Sequence, residues 1–381
     1  MILGFIKSQL RQISQGGLPV FFQKLLKLFK QLLVGIPSIL IALPFVLFVR
    51  ILRPLTLIRF GRLYSDRIGH YVANTEIYLC ERDLGIQNAY TRDFFYNKNI
   101  VCNKQLEKMY ARILNVYPFV KYLYQANRII AGGEKHVITL PSDRDIYGQV
   151  RKTESHLFFT DEEEYIGKQY LKSKGINDGD KFICMHVRDN AYLDKMYPGL
   201  SKNAWKYHDY RNSCIDDYLE TAEEMTKRSY YIFRMGSVVE KEFKTNNSMI
   251  IDYAYNGDRT DFLDIYLFAN CHIALSAGGG PCSVPLAFRR PLGVINYIPL
   301  EYCLVGFGIN DISIPKKIWL QKENRFMTFR EIIKMGAGKF LTTYQYQELG
   351  IEPVNNTPEE IVDLAIEIDE RLKGNWMTTK E

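Results

Sequence analysis

The chain reads as an α/β protein with a parallel sheet in its C-terminal half. Three observations predict this class. Between residues 182 and 297, short apolar runs alternate with stretches of helical length and period, the pattern of βαβ units. The runs are apolar on both faces, as Ile183, Cys184, Met185 and Val187 are in KFICMHVR, which is how a strand covered by helices on both sides reads. Each run then breaks into polar or glycine residues, and in a parallel sheet such strand ends share one rim.

Composition narrows the class. The 381 residues, 47% hydrophobic and 24% charged, suffice for two domains and exclude a disordered chain. The net charge of +6 is concentrated near the N-terminus, at Lys7, Arg11, Lys24, Lys27 and Lys30, then Arg50, Arg53, Arg59, Arg62 and Arg67. That placement suits an anionic membrane surface rather than nucleic acid, for which no basic–aromatic module is present. The seven cysteines form no CxxC pair and several lie in apolar runs, so they are expected reduced and buried. The six histidines are scattered, and no structural metal is expected.

In chain order, VFFQKLLKLFKQLL after Pro19 has the period of an amphipathic helix lying on a membrane. Leu32 to Val49 then runs eighteen residues without a charge, roughly 27 Å as a helix, enough to reach across a bilayer core. Pro37 and Pro44 interrupt it, so it reads as one span or as a kinked, re-entrant segment returning to the same leaflet, with a buried helix of a soluble core as the remaining alternative. No cleavable signal peptide is expected, because the apolar run starts late and no small-residue cleavage site follows. Residues 1–58 are assigned to this membrane-associated segment. RFGRLYSDRIGH, with Gly61, Ser65, Gly69 and His70, reads as a loop entering the helix ANTEIYLCERD, either an anion site or an ordinary connection. Residues 100–130 carry helix, NKQLEKMYARIL, ending near Tyr117-Pro118, and HVITLP has strand character. TDEEEYIGKQYLKSKGI is a helix capped by Thr160 with acidic residues in its first turn. The turn at Gly175 and Asp178-Gly179-Asp180 places a domain boundary at 178/179.

Beyond it come a strand at 182–187, a loop with Tyr197-Pro198-Gly199, and a helix in DYRNSCIDDYLETAEEMTKR. SYYIFRMG is a strand with Tyr231, Phe233 and Met235 on one face and Tyr230 and Ile232 on the other. SMIIDYA, a helix in DRTDFLDIYLFANC, the strand and glycine loop HIALSAGGGP, a short helix in CSVPLAFRRP and the strand LGVINY follow. The last helix, NNTPEEIVDLAIEIDERL, has Thr357 as cap and Pro358 in its first turn.

The strand ends supply the candidate site: His186, Arg188 and Asp189, then Arg234 and Gly236, then Asp252, then Ser276 with Gly278, Gly279 and Gly280. Arg188 can fork onto phosphate and His186 can carry a proton. The three glycines either bring backbone N–H groups to an anion or make a tight turn. Arg234 is either a phosphate clamp or the partner of a local carboxylate. Asp252 either accepts sugar or ribose hydroxyls or caps the chain locally. Asp143-Arg144-Asp145, after an apolar run, is an arrangement that can hold a metal–nucleotide complex, although Pro141 intervenes.

HVRDNAYL, YRNSCIDDYL, YYIFRMG, IIDYA, DRTDFLDIYLFANC and SAGGGP, in this order, resemble a family of bacterial glycosyltransferases found with surface-polysaccharide synthesis, and GRLYSDRIGHYVANTEIYL and NKQLEKMYARIL resemble its N-terminal part. The resemblance covers about residues 60 to 373; His-X-Arg after a strand is also similar to the donor-diphosphate motif of GT-B-like fucosyltransferases. It implies two Rossmann-like domains facing a cleft, an acceptor domain at 59–178 and a nucleotide-sugar domain at 179–330, with a helical tail at 331–381. It implies a nucleotide-sugar donor as substrate, a glycan or lipid-linked acceptor, no further cofactor and no obligatory metal. Arg188, the 278–280 amides and Arg234 then stabilise the leaving diphosphate, Asp252 holds the nucleoside, and either His186 or Asp189 is the base. A hexosyl- or fucosyl-type transferase at the inner face of the cytoplasmic membrane is expected. Two further readings stay open: another GT-B-shaped enzyme, such as a pyruvyl transferase or sugar epimerase, and a non-catalytic member of a glycan-assembly complex.

Overall fold

The computed structural model describes residues 14, 17–26, 29, 31–88, 90–196, 202–302, 308 and 310–378. The expected loop at Tyr197-Pro198-Gly199, Cys303 and the basic residues Lys7, Arg11, Lys27 and Lys30 lie outside them.

After helix α1 (Ile36–Ile51) the chain builds a first sheet. Its parts are β1 (Leu57–Leu63), α2 (Ile68–Asp83), β2 (Thr91–Asn97), α3 (Lys104–Ile113), β3 (Asn115–Val116), α4 (Val120–Ile129) and β4 (Val137–Ile138). The strands are all parallel, in the order β3-β2-β1-β4. Alternation sorts their side chains. Phe95 faces Tyr71, Tyr78 and Tyr110 of α2 and α3, while Phe60 and Tyr96 face Val120 and Leu123 of α4. Gly61, expected in a loop, lies inside β1. The Phe95 ring on the neighbouring strand occupies its side-chain space, 2.7 Å from where a Cβ would be.

The second sheet follows α5 (Asp161–Ser173). Its parts are β5 (Lys181–His186), α6 (Ala191–Met196), α7 (Leu219–Lys227), β6 (Tyr230–Met235), β7 (Ile250–Ile251), α8 (Asp261–Asn270), β8 (Ile273–Ser276), α9 (Ser283–Ala287), β9 (Leu292–Tyr297) and β10 (Ile312–Pro315). Six parallel strands run in the order β10-β9-β8-β5-β6-β7. Phe233 and Met235 pack on one face with Cys184, and Tyr230 and Ile232 on the other with Ile183 and Met185. The chain ends with β11 (Lys317–Leu320), β12 (Arg325–Phe326), α10 (Phe329–Met335), α11 (Thr343–Glu348), β13 (Ile351–Val354) and α12 (Pro358–Lys373). Those strands form a small antiparallel sheet, β12-β11-β13. The architecture is therefore mixed α/β with two parallel sheets.

Three expectations change. The helix expected from Asp209 is α-helical only over Leu219–Lys227, behind 3₁₀ turns at Lys202–Arg211 and Ile215–Tyr218. Asn212 and Ser213 hold the chain to the end of β5, through the Arg188 side chain and carbonyl, and such bonds compete with helix. The chain crosses to the second sheet before α5 rather than at 178/179. Tyr170 packs 6.3 Å from Phe233 and 6.4 Å from Tyr253, and Phe159 stacks on Phe288. The helical tail is part of the second domain: Ile361, Leu364, Ala365 and Ile368 of α12 fill the core beneath β5, β6 and β8. The Asp369 carboxylate of α12 accepts the Tyr230 hydroxyl at 2.7 Å and pairs with Arg228 at 2.8 Å.

The crossing of α5 over α8 depends on Gly167, where a Cβ would fall 2.1 Å from the Tyr266 ring. Gly167→Ala pits a helix-propensity gain of about 1 kcal/mol against overpacking of roughly 1–3 kcal/mol. Because the ring is confined by Phe159 and Phe262, packing prevails and the melting temperature falls.

Candidate active site

The strand order of the second sheet reverses between β5 and β8: β6 and β7 follow on one side, β9 and β10 on the other. A reversal opens a crevice beyond the carboxyl ends, because the outgoing chains diverge there. His186 ends β5, Ser276 ends β8, and the two are register partners. The first sheet reverses in the same way between β1 and β4. There α2 leaves β1, and the segment through Asp143 leaves β4. The two crevices meet. A Cβ on Gly69, in the first turn of α2, would lie 2.7 Å from the Gly280 Cα, and one on Gly280 would lie 2.9 Å from the Gly69 nitrogen.

The glycine loop is held from behind. Ser276 Oγ is 3.4 Å from the Gly278 carbonyl, and the Cys282 thiol reaches the Gly279 carbonyl at 2.7 Å. In a trans peptide the N–H points opposite the C=O, so the Gly279 and Gly280 amides are turned away from these side chains. Gly278 and Gly279 have φ of 76° and 91°, a backbone region open to glycine. The α9 helix that follows has only five residues, so the loop amides rather than a helix terminus are the donors on offer. A Cβ on Gly279 would lie 3.8 Å from Arg188 Cδ and 3.9 Å from His186 Cε1, so the loop and these two side chains share one surface.

Charge is the defining property of that surface. Arg188 donates through Nη1 to Asn212 Oδ1 and, at 3.5 Å, to the His208 carbonyl, both uncharged acceptors. Among the described residues no carboxylate lies within salt-bridge distance of Arg67, Arg188, Arg211 or Lys316. Burial, and then Arg211, pull Arg188 down to about 10. Burial, and then Arg188, pull Lys316 down to about 8, while its ammonium donates to the Asn212 carbonyl at 2.7 Å. His208 is pushed down to about 4 by burial and by Arg188, Arg211 and Arg67 in turn, and its buried Nδ1 has no hydrogen-bond partner among the described residues. His186 is also at about 4, through burial, Arg234 and Arg188. Its Nδ1 is 3.3 Å from Ser276 Oγ. Since that hydroxyl donates its single proton to Gly278, it accepts from Nδ1–H, which leaves the His186 Nε2 lone pair open. Cations from both domains thus gather at one place with no directly paired carboxylate among the described residues; Asp189, Asp209 and Asp217 act on them only at longer range.

Several expected contacts have other partners. Arg234 is 1% exposed and pairs with Asp252 at 3.1 Å. The second Asp252 oxygen accepts the Phe243 N–H at 2.7 Å, so the carboxylate expected at the nucleoside is occupied within the fold. Asp189 accepts the Ala191 and Glu240 N–H groups at 3.0 and 2.9 Å, one on each oxygen, which makes it a loop anchor rather than a base. Ser276 is fully buried and positions the loop. Gly236 gives room to Val239, 2.6 Å from where its Cβ would be.

Other residues join the site that the sequence did not connect. His70 Nδ1 lies 3.2 Å from Asp143 Oδ2 and 3.3 Å from Asn74 Oδ1. The hydrogen bond to Asp143 raises the imidazole above its usual value, and the same bond lowers Asp143. Arg144 lies over the Tyr302 ring, 3.5 Å from its centroid. Asp145 instead accepts the Gln149 and Val150 N–H groups at 2.7 and 3.0 Å, so the expected acidic pair is divided between two tasks. Arg211 falls in the segment that reads as helix, and His208 directly precedes it. Away from the cleft, Glu76, Cys80 and His156 come together closely enough to ligate a metal. Arg289 already lies 2.8 Å from Glu76 and reaches the Thr153 and Glu154 carbonyls, tying the two domains together. A 660 Å³ cavity between β11, α10 and α12 is mainly apolar, and Lys316 of the cationic cluster is among its lining residues.

No protein-family model matches the chain, and no curated protein sequence does. Among solved structures it is similar to a glycosyl transferase family 9 protein from Veillonella parvula DSM 2008, at 11% identity and TM-score 0.47 over 82% of this chain and 97% of that one. It is also similar to the E. coli ADP-heptose lps heptosyltransferase II, at 10% identity and TM-score 0.46 over 83% of this chain and 99% of that one. Likeness at this level leaves the chemistry to be argued from the chain's own residues.

Arg188 and Arg234 separate by their partners. Arg234→Ala leaves Asp252 unpaired in the fold, so its unfolding free energy drops by about 3 kcal/mol. Arg188→Ala removes a cation with no directly paired carboxylate, so the ligand-free variant melts no lower than the wild type. Thermal denaturation of the two variants checks both outcomes.

Proposed function

We propose that the protein is a glycosyltransferase that moves a sugar from a nucleotide-sugar to a glycan or lipid-linked acceptor of surface-polysaccharide synthesis, at the cytoplasmic face of a membrane. The observation that carries the reading is the convergence of Arg67, Arg188 and Arg211, from two domains, around the half-buried His208, whose Nδ1 has no hydrogen-bond partner among the described residues. Cations without a directly paired carboxylate at a sheet's switch point fit an anionic ligand, and a diphosphate fits both the charge and the adjoining loop amides. In glycosyl transfer the negative charge grows on the leaving diphosphate. Fixed guanidiniums and amides stabilise that charge more in the transition state than in the bound donor.

His70 is the proposed base. With Nδ1–H directed at Asp143, its Nε2 takes the acceptor hydroxyl proton. The acceptor oxygen bonds to the anomeric carbon, and the bond from that carbon to the phosphate oxygen breaks, its electron pair leaving with the nucleoside diphosphate. His70 stands on the first domain and the glycine loop on the second, so acceptor and donor approach from opposite sides of the Gly69–Gly280 contact.

The donor site is tested by thermal shift of the full chain with nucleoside diphosphates and nucleotide-sugars. A ligand at a hundredfold its dissociation constant raises stability by about 2.7 kcal/mol, and a flat response across the panel refutes the reading. The base is tested separately. His70→Ala is expected to keep donor binding and lose roughly 10²–10⁴ in kcat. The neutral imidazole is the active form and Asp143 raises its pKa, so activity falls as pH drops through a value above 6.5. In Asp143→Asn that acid limb moves to lower pH.

A further inference from the structure

The segment Leu32–Ile51 is long and apolar enough to cross a membrane. Its place in the fold argues against crossing. Ala42 and Val46 of α1 are buried against Ala126 of α4, with Ile39 and Leu43 packed around them. Positions 39, 42, 43 and 46 repeat at helical spacing and so form one stripe. At the end of α1, Arg50 grips the end of α4. It donates to the Asn127 side chain at 2.9 and 3.2 Å and to the carbonyls of Asn127, Ile130 and Ala131 at 2.9, 3.0 and 2.7 Å. From Ile39 to Arg50 this contact runs about 17 Å along α1.

Its partner cannot enter lipid. On its other side α4 packs through Val120 and Leu123 on Phe60 and Tyr96 of the first sheet, and it carries Lys121 and Arg128. A helix lying along α4 for most of its length cannot also stand through a bilayer core of roughly 30 Å.

The opposite face of α1 is covered by nothing among the described residues, and it is wholly apolar. Ile36, Leu40, Ile41, Phe45, Phe48 and Ile51 are all exposed on it, Ile41 at 67% and Ile51 at 74%. The patch continues through exposed Phe21, Phe22, Leu26, Leu32 and Leu33. In sequence the charge of this segment has one sign: residues 1–65 contain nine Lys and Arg and no Asp or Glu, of which Arg50 is held by α4 and Arg59 by Asp93. A broad apolar face on a segment whose own charges are all basic is complementary to an anionic lipid surface, where acyl chains take the apolar side chains and headgroups take the cations.

We infer that the protein is monotopic: α1 lies in the plane of an anionic bilayer, its 36–51 outer face sunk into one leaflet, while its inner face remains packed on α4. The first domain is thereby held against the membrane without any span. This follows from packing and charge and is independent of the activity proposed above.

The test uses the full chain and vesicles of phosphatidylcholine, alone or with about a third phosphatidylglycerol. The protein is expected to float with the anionic vesicles and only weakly with the neutral ones. Ile41→Asp/Phe45→Asp/Phe48→Asp, all at exposed positions, should cut anionic-vesicle binding roughly tenfold or more without lowering the melting temperature. Failure of the wild type to float with either, or undiminished flotation of the triple variant, overturns the proposal. So does a solution dimer that the triple variant breaks while vesicles bind neither form, because the face then belongs to a second copy. Orientation is read from single tryptophans replacing Ile36, Ile41 and Phe48, quenched by lipids brominated at graded depths. One shallow depth for all three supports the in-plane helix, and a gradient through the bilayer centre refutes it.

Discussion

Arg188 is a cation held by neutral groups. Its bonds run to the Asn212 side chain and the His208 carbonyl; Arg211 opposes its charge, Asp189 and Asp209 favour it without pairing directly, and it in turn depresses the buried Lys316. Gathering such charges costs free energy that packing elsewhere must offset, and an arriving dianion would return it. The surrounding structure serves that arrangement. Asn212 holds Arg188, Asp209 holds Asn212 at 3.2 Å, and Asn190 bonds the same Asp209 oxygen at 2.7 Å. The loop leaving β5 and the 3₁₀ turn facing it are thus stitched together around the guanidinium.

Topology explains why these groups meet. Each sheet reverses its strand order once, each reversal leaves a crevice, and the two crevices abut where Gly69 touches Gly280. The second domain supplies Arg188, Arg211 and loop amides, and the first adds Arg67. The first also supplies an imidazole–carboxylate pair with raised basicity. In the proposed reaction the base stands on the first domain, where its bond to Asp143 outweighs the opposing charge of Arg67, whereas Arg188 depresses both His186 and His208 on the second. The tie from Arg289 to Glu76, Thr153 and Glu154 fixes the separation between the two halves away from the cleft.

The second sheet was legible because its strands are uniformly apolar and its helices carry clear starts. Tyr231, Phe233 and Met235 alternate with Tyr230 and Ile232 in the sequence and in the core. Thr160 and Thr357 both close capping boxes, with Glu163 and Glu360. The first sheet was hidden by polar residues inside its strands. Arg59 in β1 and Asp93 in β2 are register partners joined at 2.7 Å, and the Tyr78 hydroxyl also donates to Asp93. That buried network breaks the alternation a strand normally shows. Within the site, His186, Arg188 and the glycine loop could be read because they end recognisable strands. His70 and Asp143 could not be linked, since only the neighbouring placement of β1 and β4 brings them together. Arg234 and Asp252 looked like ligand contacts for the same reason as Arg188 did, and only their partners distinguish them: they pair with each other, whereas Arg188 bonds neutral acceptors.

The central claim is that an anion completes the charge of this cluster. Calorimetric titration of the full chain near pH 5.5 with a nucleotide-sugar, whose diphosphate has no group titrating there, in two buffers of different ionisation enthalpy, measures the protons the protein exchanges on binding. His186 and His208 lie near 4 in the free protein because cations and burial hold them neutral, and a bound diphosphate raises both. The account therefore predicts net proton uptake and binding that tightens as pH falls from 7 to 5.5. Binding with no proton uptake, or with proton release, would contradict it.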